Sequence, residues 1–155
     1  MSIKIKIAAA KTDDLDEIMA IEARSFATPW SPELFLYDYD NEHAYINVAK
    51  DDQKNNICGY ICFALIHDEL SIMNLAVDPE CRRKRIATQL LSDAIEFAKA
   101  RGASVAFLEV RESHRGTQEL YKKCGFVQAA VRRKYYADNG EDAILMINFI
   151  NKDTK

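Results

Sequence analysis

The sequence predicts an α/β domain of the α+β kind: a mixed, mostly antiparallel sheet of about seven strands with a central parallel pair, and about four helices packed on both faces. Three observations predict it. A strand, a long helix and a strand follow one another between Leu70 and Val110, an order that demands a parallel pair with a right-handed crossover. On either side of that unit, strands are joined by short turns and should pair antiparallel. At 155 residues the chain can bury roughly 70% of its unfolded surface in one core, so a single domain over 1–155 is expected.

The elements follow in order. Ile3, Ile5 and Ile7 alternate with Lys4 and Lys6, the period of a half-buried strand. Thr12 and Asp13 can cap a helix that carries Leu15, Ile18, Met19 and Ile21 on one face and ends near Phe26. In ATPWSPELFLYDY, Ser31 suits an N-cap and Pro32 the first helical position, where its missing N–H costs nothing. Ala44 to Lys50 and Ile57 to His67 make a hairpin around DDQKNN, and Glu69 to Val77 is a further strand closed by Asp78-Pro79. Ile86 to Arg101 is a long helix with Leu90, Leu91, Ala94, Ile95 and Ala98 inward, stopped by Gly102. The run VAFLEV between Ser104 and Arg111 suggests a strand buried on both faces. Ser113 or Thr117 opens a helix ending at Cys124-Gly125, and Val127 to Tyr136 pairs with Ala143 to Ile150 around ADNGED.

Composition excludes several classes. A net charge of −3 with interspersed signs argues against a general nucleic-acid binder, which carries a basic balance. Cys58, Cys62, Cys81 and Cys124 show no CxxC spacing, so reduced, mostly buried thiols are expected rather than a zinc site or a disulfide framework. No stretch approaches the ~20 apolar residues of a membrane span, and MSIKIKIAAAK lacks the apolar core of a leader. A cytoplasmic protein without membrane association is expected. His43 and His67 read as surface or turn residues.

Against that acidic background, DPECRRKRIATQLL stands out. In an open sheet a ligand sits beyond the carboxyl ends of parallel strands, beside the next helix. A helix starting near Ile86 offers unpaired N–H groups and the positive end of its dipole, which together bind phosphate. Arg82, Arg83 and Lys84 add charge there. A solvated surface cluster is the competing reading.

The same stretch resembles motif A of the GNAT superfamily of N-acetyltransferases, in which a strand ending in AVDP precedes R/Q-x-x-G-x-G/A. FLEVRESHRGTQELYKKCGF, RRKYYADNGEDAILM and ATPWS extend the resemblance over essentially the whole chain, toward the bacterial subgroup that acetylates the N-terminal alanine of a ribosomal protein. The resemblance implies a GNAT-like fold, acetyl-CoA as co-substrate and no metal. It places acetyl-CoA on Leu75, Ala76 and Val77 through backbone groups and on Arg82, Arg83, Lys84, Arg85, Ile86, Ala87 and Thr88 through the phosphates. Two positions depart from the pattern: Arg85 replaces a glycine, and His114 replaces a frequent asparagine beside the cofactor.

The resemblance also implies chemistry. Glu109 matches the proton acceptor; read from the residues alone, it equally suits an ion pair with Arg111 on the same strand face. A free Glu has a pKa of about 4.3 and an α-amine about 7.7–8.0, so direct abstraction is uphill unless the site assists or a water relays the proton. Tyr121 matches the proton donor to the leaving thiolate, with core packing as its other reading. Trp30, Ser31, Tyr135 and Tyr136 would wall a peptide groove, although a Trp between two helices equally suits the core. The expected function is acetyl transfer to a protein N-terminal amine in a ternary complex. Acetylation of a lysine or small amine, or a CoA-binding regulatory module, stand as alternatives, and the oligomeric state is left open.

Overall fold

The computed structural model describes residues 4–26, 28–82 and 84–151, and of residues 38 and 39 the backbone alone. The elements run β1 (Ile5–Ala9), a 3-10 turn (Thr12–Asp14), α1 (Leu15–Ser25), α2 (Pro32–Asp40), β2 (Ala44–Asp51), β3 (Ile57–Ile66) and β4 (Glu69–Val77). A second 3-10 turn (Pro79–Cys81), α3 (Ile86–Ala100), β5 (Val105–Arg111), α4 (Arg115–Lys123), β6 (Val127–Arg132) and β7 (Ala143–Asn148) follow. The strands form a seven-stranded sheet in the order β1-β2-β3-β4-β5-β7-β6. β4 and β5 are parallel, from Glu69 against Val105 to Ile72 against Leu108. The β1/β2, β2/β3, β5/β7 and β6/β7 pairs are antiparallel. This is the mixed sheet that the order of elements demanded.

The chain forms two compact units, Met1–Ala64 with Asn74–Ala94, and Leu65–Met73 with Ile95–Lys155. In the first, Ile18 and Ile21 of α1, Phe35 of α2, Ile46 and Val48 of β2 and Ile57 of β3 build a core with Tyr60, Cys62 and Ala76. Trp30 packs on Phe35 at 5.2 Å between ring centroids, and Phe35 meets Tyr60 edge-on at 5.8 Å. Burying an aliphatic or aromatic side chain of this size is worth roughly 1.5–3 kcal/mol, so the amphipathic stripe on α1 holds that helix in place. In the second unit, Ala106, Leu108 and Val110 of β5, Tyr121 of α4, Phe126 and Met146 are buried. Tyr121 and Phe126 pack edge-on at 5.8 Å.

Several expectations are corrected. α1 is entered through the 3-10 turn, and Asp14, rather than Thr12 or Asp13, reaches back to accept the Lys11 N–H at 2.8 Å. β5 is not buried on both faces: Phe107, Glu109 and Arg111 are half-buried, alternating with the core residues. α4 starts at Arg115, so neither Ser113 nor Thr117 caps it; His114 holds the cap position without a side-chain bond. β6 stops at Arg132, because Tyr135 and Tyr136 donate their amides to the Glu141 carbonyl in the connecting loop. Ile3 lies outside the described residues. Cys58, Cys62 and Cys81 are buried, Cys124 is half-buried, and no disulfide joins them. Gly102 ends α3 with φ 89°, and His67 turns between β3 and β4 with φ 56°.

Candidate active site

The first unit holds the candidate cofactor residues other than His114. Leu75, Ala76 and Val77 end β4, with Ala76 buried and its neighbours half-buried. β3 presses against this end at Gly59, where an added Cβ would lie 2.9 Å from the Ala76 carbonyl oxygen. Only the missing side chain allows so close an approach. Asp78 then turns the chain: its amide donates to the Cys58 carbonyl at 2.7 Å, and its carboxylate accepts from Glu80 N at 3.1 Å and from Arg24 at 2.7 Å. Arg82 donates from Nε to the Val77 carbonyl at 3.4 Å, which draws the start of the basic run toward the strand end.

Arg82, Lys84 and Arg85 are exposed, Ile86 is buried, and Ala87 and Thr88 are half-buried in the first turn of α3; Arg83 lies outside the described residues. Arg85 has φ 60°, the left-handed region that favours glycine. The family's glycine is thus explained at this position by backbone conformation as well as by closeness to phosphate. A helix of this length leaves its first N–H groups without intrahelical partners, so the turn 86–88 is suited to an anion.

Trp30 and Ser31 lie in the same unit. The Ser31 hydroxyl accepts weakly from Leu34 N at 3.4 Å, at the start of α2. The Trp30 ring is half-buried on the aromatic cluster, and its amide donates to Glu22 Oε2 at 2.7 Å. Glu22 is 1% exposed, and its other oxygen accepts from the Tyr60 hydroxyl and, at 2.8 Å, from Asn74 Nδ2. Burial and the bond to Glu22 push the Tyr60 phenol far above its ordinary range. Sequence reasoning missed this network. The signal was a carboxylate four residues after Ile18 and seven after Leu15, on the apolar stripe of the helix.

The second unit holds the candidate acid–base pair. Glu109 points from the half-buried face of β5. Arg132 Nε of β6 comes within 3.2 Å of Glu109 Oε2, an ion-pair distance, yet its N–H is not aligned for a hydrogen bond, and Oε2 is buried without a hydrogen-bond partner. The Arg132 side chain is 55% exposed, so its attraction is screened. Arg111 does not pair with Glu109. It meets Asp138 at 3.0 Å and Glu141 at 3.4 Å and lies 3.9 Å over the Tyr136 ring. Glu141 also accepts from Ser113 N at 2.6 Å, and its bonds to Ser113 hold its carboxyl down at about 2.

Tyr121 is buried in the last turn of α4, and burial, with the neighbouring Cys124 and Tyr136, raises its phenol well above the ordinary range. Burial also raises Tyr136, which the Arg111 charge opposes and the Glu109 charge reinforces. Tyr136 is therefore within electrostatic reach of both candidate groups. Tyr135 packs edge-on against it at 5.1 Å and is half exposed. His114 is exposed at the start of α4. The structure thus gathers Glu109, Tyr121 and Tyr136 in one unit, and 75–77, the basic turn and Trp30 in the other. Among the described residues, no group of three or more His, Cys, Asp or Glu side chains is placed to hold a metal ion, and no helix is long and apolar enough to cross a membrane.

The first unit thus offers a phosphate-suited helix start after a strand, and the second, separately, a half-buried carboxylate and a buried phenol, the group types that the resemblance ties to acyl transfer. The Acetyltransferase (GNAT) family matches residues 15–126, and the chain belongs to that family. It is 33% identical over 142 residues to the [ribosomal protein bS18]-alanine N-acetyltransferase of Salmonella typhimurium, covering 90% of this chain and 94% of the relative. The crystal structure of the ribosomal-protein-S18-alanine N-acetyltransferase from Escherichia coli superposes with a TM-score of 0.87 at 32% identity, covering 95% of this chain and 94% of that one. Arabidopsis thaliana NAA60 in complex with acetyl-CoA shares the fold, with a TM-score of 0.85 at 17% identity over 96% and 99% of the two chains.

Proposed function

We propose that this chain transfers the acetyl group of acetyl-CoA to the N-terminal α-amine of a protein, with a ribosomal protein as acceptor, by direct transfer in a ternary complex. The observation that carries the reading is Glu109 Oε2, a buried carboxylate oxygen with no hydrogen-bond partner among the described residues, faced only by the ion-pair contact of Arg132. Such an atom costs stability whether or not it is used, and a catalytic role is one reason for a protein to keep it. Names of the relatives support the acceptor class, since they specify an alanine of ribosomal protein bS18.

In this mechanism the neutral amine attacks the thioester carbonyl carbon and a C–N bond forms. The oxyanion that develops is met by a backbone N–H group of the strand end at Ala76 to Val77, of a kind worth about 3–4 kcal/mol of barrier, the Leu75 N–H being engaged by Asn74 Oδ1. The C–S bond then breaks, and the thiolate takes the proton of Tyr121, whose raised phenol stays protonated until that moment. The ammonium proton passes to Glu109, directly or through a water, and solvent exchange returns a proton to Tyr121. Arg82, Lys84, Arg85 and the first turn of α3 hold the phosphates, and Trp30, Ser31, Tyr135 and Tyr136 take part in recognising the acceptor. On this reading residues 1–155 make one acetyltransferase domain that works in the cytoplasm.

The test is mass spectrometry of peptides with different free N-termini, lysine-bearing peptides with blocked N-termini, and small amines after incubation with acetyl-CoA. Acetylation at the α-amine of an N-terminal alanine is expected. Transfer only to lysine or small amines would replace the acceptor class, and acetyl-CoA binding without any transfer would make the chain a regulatory module.

A further inference from the structure

Glu22 is the one charged side chain among the described residues that is buried to 1%, and no step above uses it. Its carboxylate joins four segments of the first unit. It projects from α1, accepts from Trp30 N ahead of α2, from Tyr60 of β3, and from Asn74 of β4. Each contact brings a donor to the carboxylate, so the buried charge is met by hydrogen bonds rather than by a cation. Neither link is generic scaffolding. Trp30 opens the segment assigned to the acceptor, and Asn74, whose Oδ1 accepts Leu75 N at 3.0 Å, precedes the strand end assigned to acetyl-CoA.

We infer that Glu22 is a positioning residue for acceptor recognition, fixing the Trp30 backbone so that Trp30 and Ser31, at the entry to α2, present a rigid wall to the peptide. This rests on the acceptor reading of the preceding subsection. A bond to Trp30 N fixes the main chain at the point where the loop enters α2, and the ring is held in turn by Phe35. Preorganising a binding loop lowers the ordering cost of association, which appears as tighter acceptor binding rather than faster chemistry.

Glu22→Gln isolates this link. Oε1 faces two donors and Oε2 one, and Asn74 cannot turn its amide round without giving up Leu75 N. The glutamine carbonyl therefore goes to Tyr60 and Asn74, and its NH2 group lands against the Trp30 N–H. The Trp30 bond is lost while the other two persist. Losing a hydrogen bond to a charged group corresponds to roughly tenfold to a hundredfold in an equilibrium constant, so KM for an N-terminal peptide should rise by about that factor. KM for acetyl-CoA should stay unchanged and kcat should change by less than about threefold. Trp30 is the only tryptophan in the chain, so its fluorescence reports the same loop: emission should move to longer wavelength in the variant.

A second measurement needs no variant. In the wild-type protein the Trp30 amide should exchange its hydrogen as slowly as the amides in the middle of α1. Exchange at the rate of an open loop would overturn the inference, as would a folded Glu22→Gln variant with unchanged Trp30 emission and unchanged peptide KM, or one that loses only kcat. If the wild-type enzyme acetylates no peptide N-terminus, the acceptor reading fails separately, and exchange and emission still decide whether Glu22 holds the loop.

Discussion

Gly59→Ala is the sharpest probe of the strand end that carries Leu75 to Val77. The added Cβ would sit 2.9 Å from the Ala76 carbonyl oxygen and 3.3 Å from Leu90 Cδ1 and Val77 Cγ2. The first distance is shorter than real Cβ contacts, and the atom in the way is backbone, so β4 must shift by a few tenths of an ångström. Elsewhere, replacing glycine by alanine in a compatible conformation stabilises by about 0.4–1 kcal/mol through the unfolded state. Overpacking costs about 1–3 kcal/mol. The clash wins, leaving a net loss of about 1–2 kcal/mol, or roughly 2–8 °C in Tm for a chain of this size. Activity should fall further than stability, because a misplacement of 1 Å at an oriented reacting group costs ~10²-fold, and a shift of a few tenths should cost several-fold in kcat/KM. Thermal unfolding and steady-state kinetics with acetyl-CoA and an alanine peptide measure both. A variant with raised Tm and normal kcat/KM would show that the strand yields freely and that its exact position does not matter to transfer.

Glu109→Gln should cut kcat by at least about a hundredfold, the range of general base catalysis, while calorimetry still detects acetyl-CoA; unchanged kcat across the pH range would leave Arg132 as the only explanation of that carboxylate. Arg85→Gly should relieve the φ of 60° and raise or preserve Tm. It should also weaken acetyl-CoA binding at low salt, with the difference shrinking at high salt as the charge is screened; tighter binding than wild type would make the Arg85 side chain an obstruction. Glu141, held at about 2 against an ordinary 4.5, contributes stability that is present above pH 4.5 and is lost as pH falls through 2. Thermal melts of wild type and Glu141→Gln should therefore differ near neutrality and converge toward pH 2, and parallel curves would remove the Ser113 bond from the stability of that loop.

The basic run, the strand before it and the stripe on α1 were legible because each is a local pattern: alternation, a turn dipeptide and a helical period. The left-handed backbone at Arg85 was visible only indirectly, as a departure from an expected glycine. What sequence reasoning misplaced was partner choice at long range. An ion pair of Arg111 with Glu109, the alternative to a catalytic role that their shared strand face offers, does not form. In the structure Arg111 instead takes Asp138 and Glu141, 27 and 30 residues away, and Arg132 takes the place beside Glu109. The Glu22 network joins residues up to 52 positions apart, and no periodicity encodes which donors converge on one carboxylate. The run VAFLEV misled for a related reason: apolar Val105 and Phe107 occupy a face that β5 leaves half open, so composition overstated burial.

β6 closes the strand order at one end of the sheet, and all six of its residues are exposed, Val127 by 59% and Val131 by 43%. An apolar outer strand of this kind is a template for pairing with another chain and for aggregation. Its register against β7 slips between Gln128 and Ala130, and a bulge of this sort bends and twists the strand, spoiling the straight row of amides that an incoming strand needs. The irregularity therefore serves colloidal stability: ironing it out by deleting one residue at 128–130 would be expected to leave the fold paired and make the protein more prone to self-association on concentration.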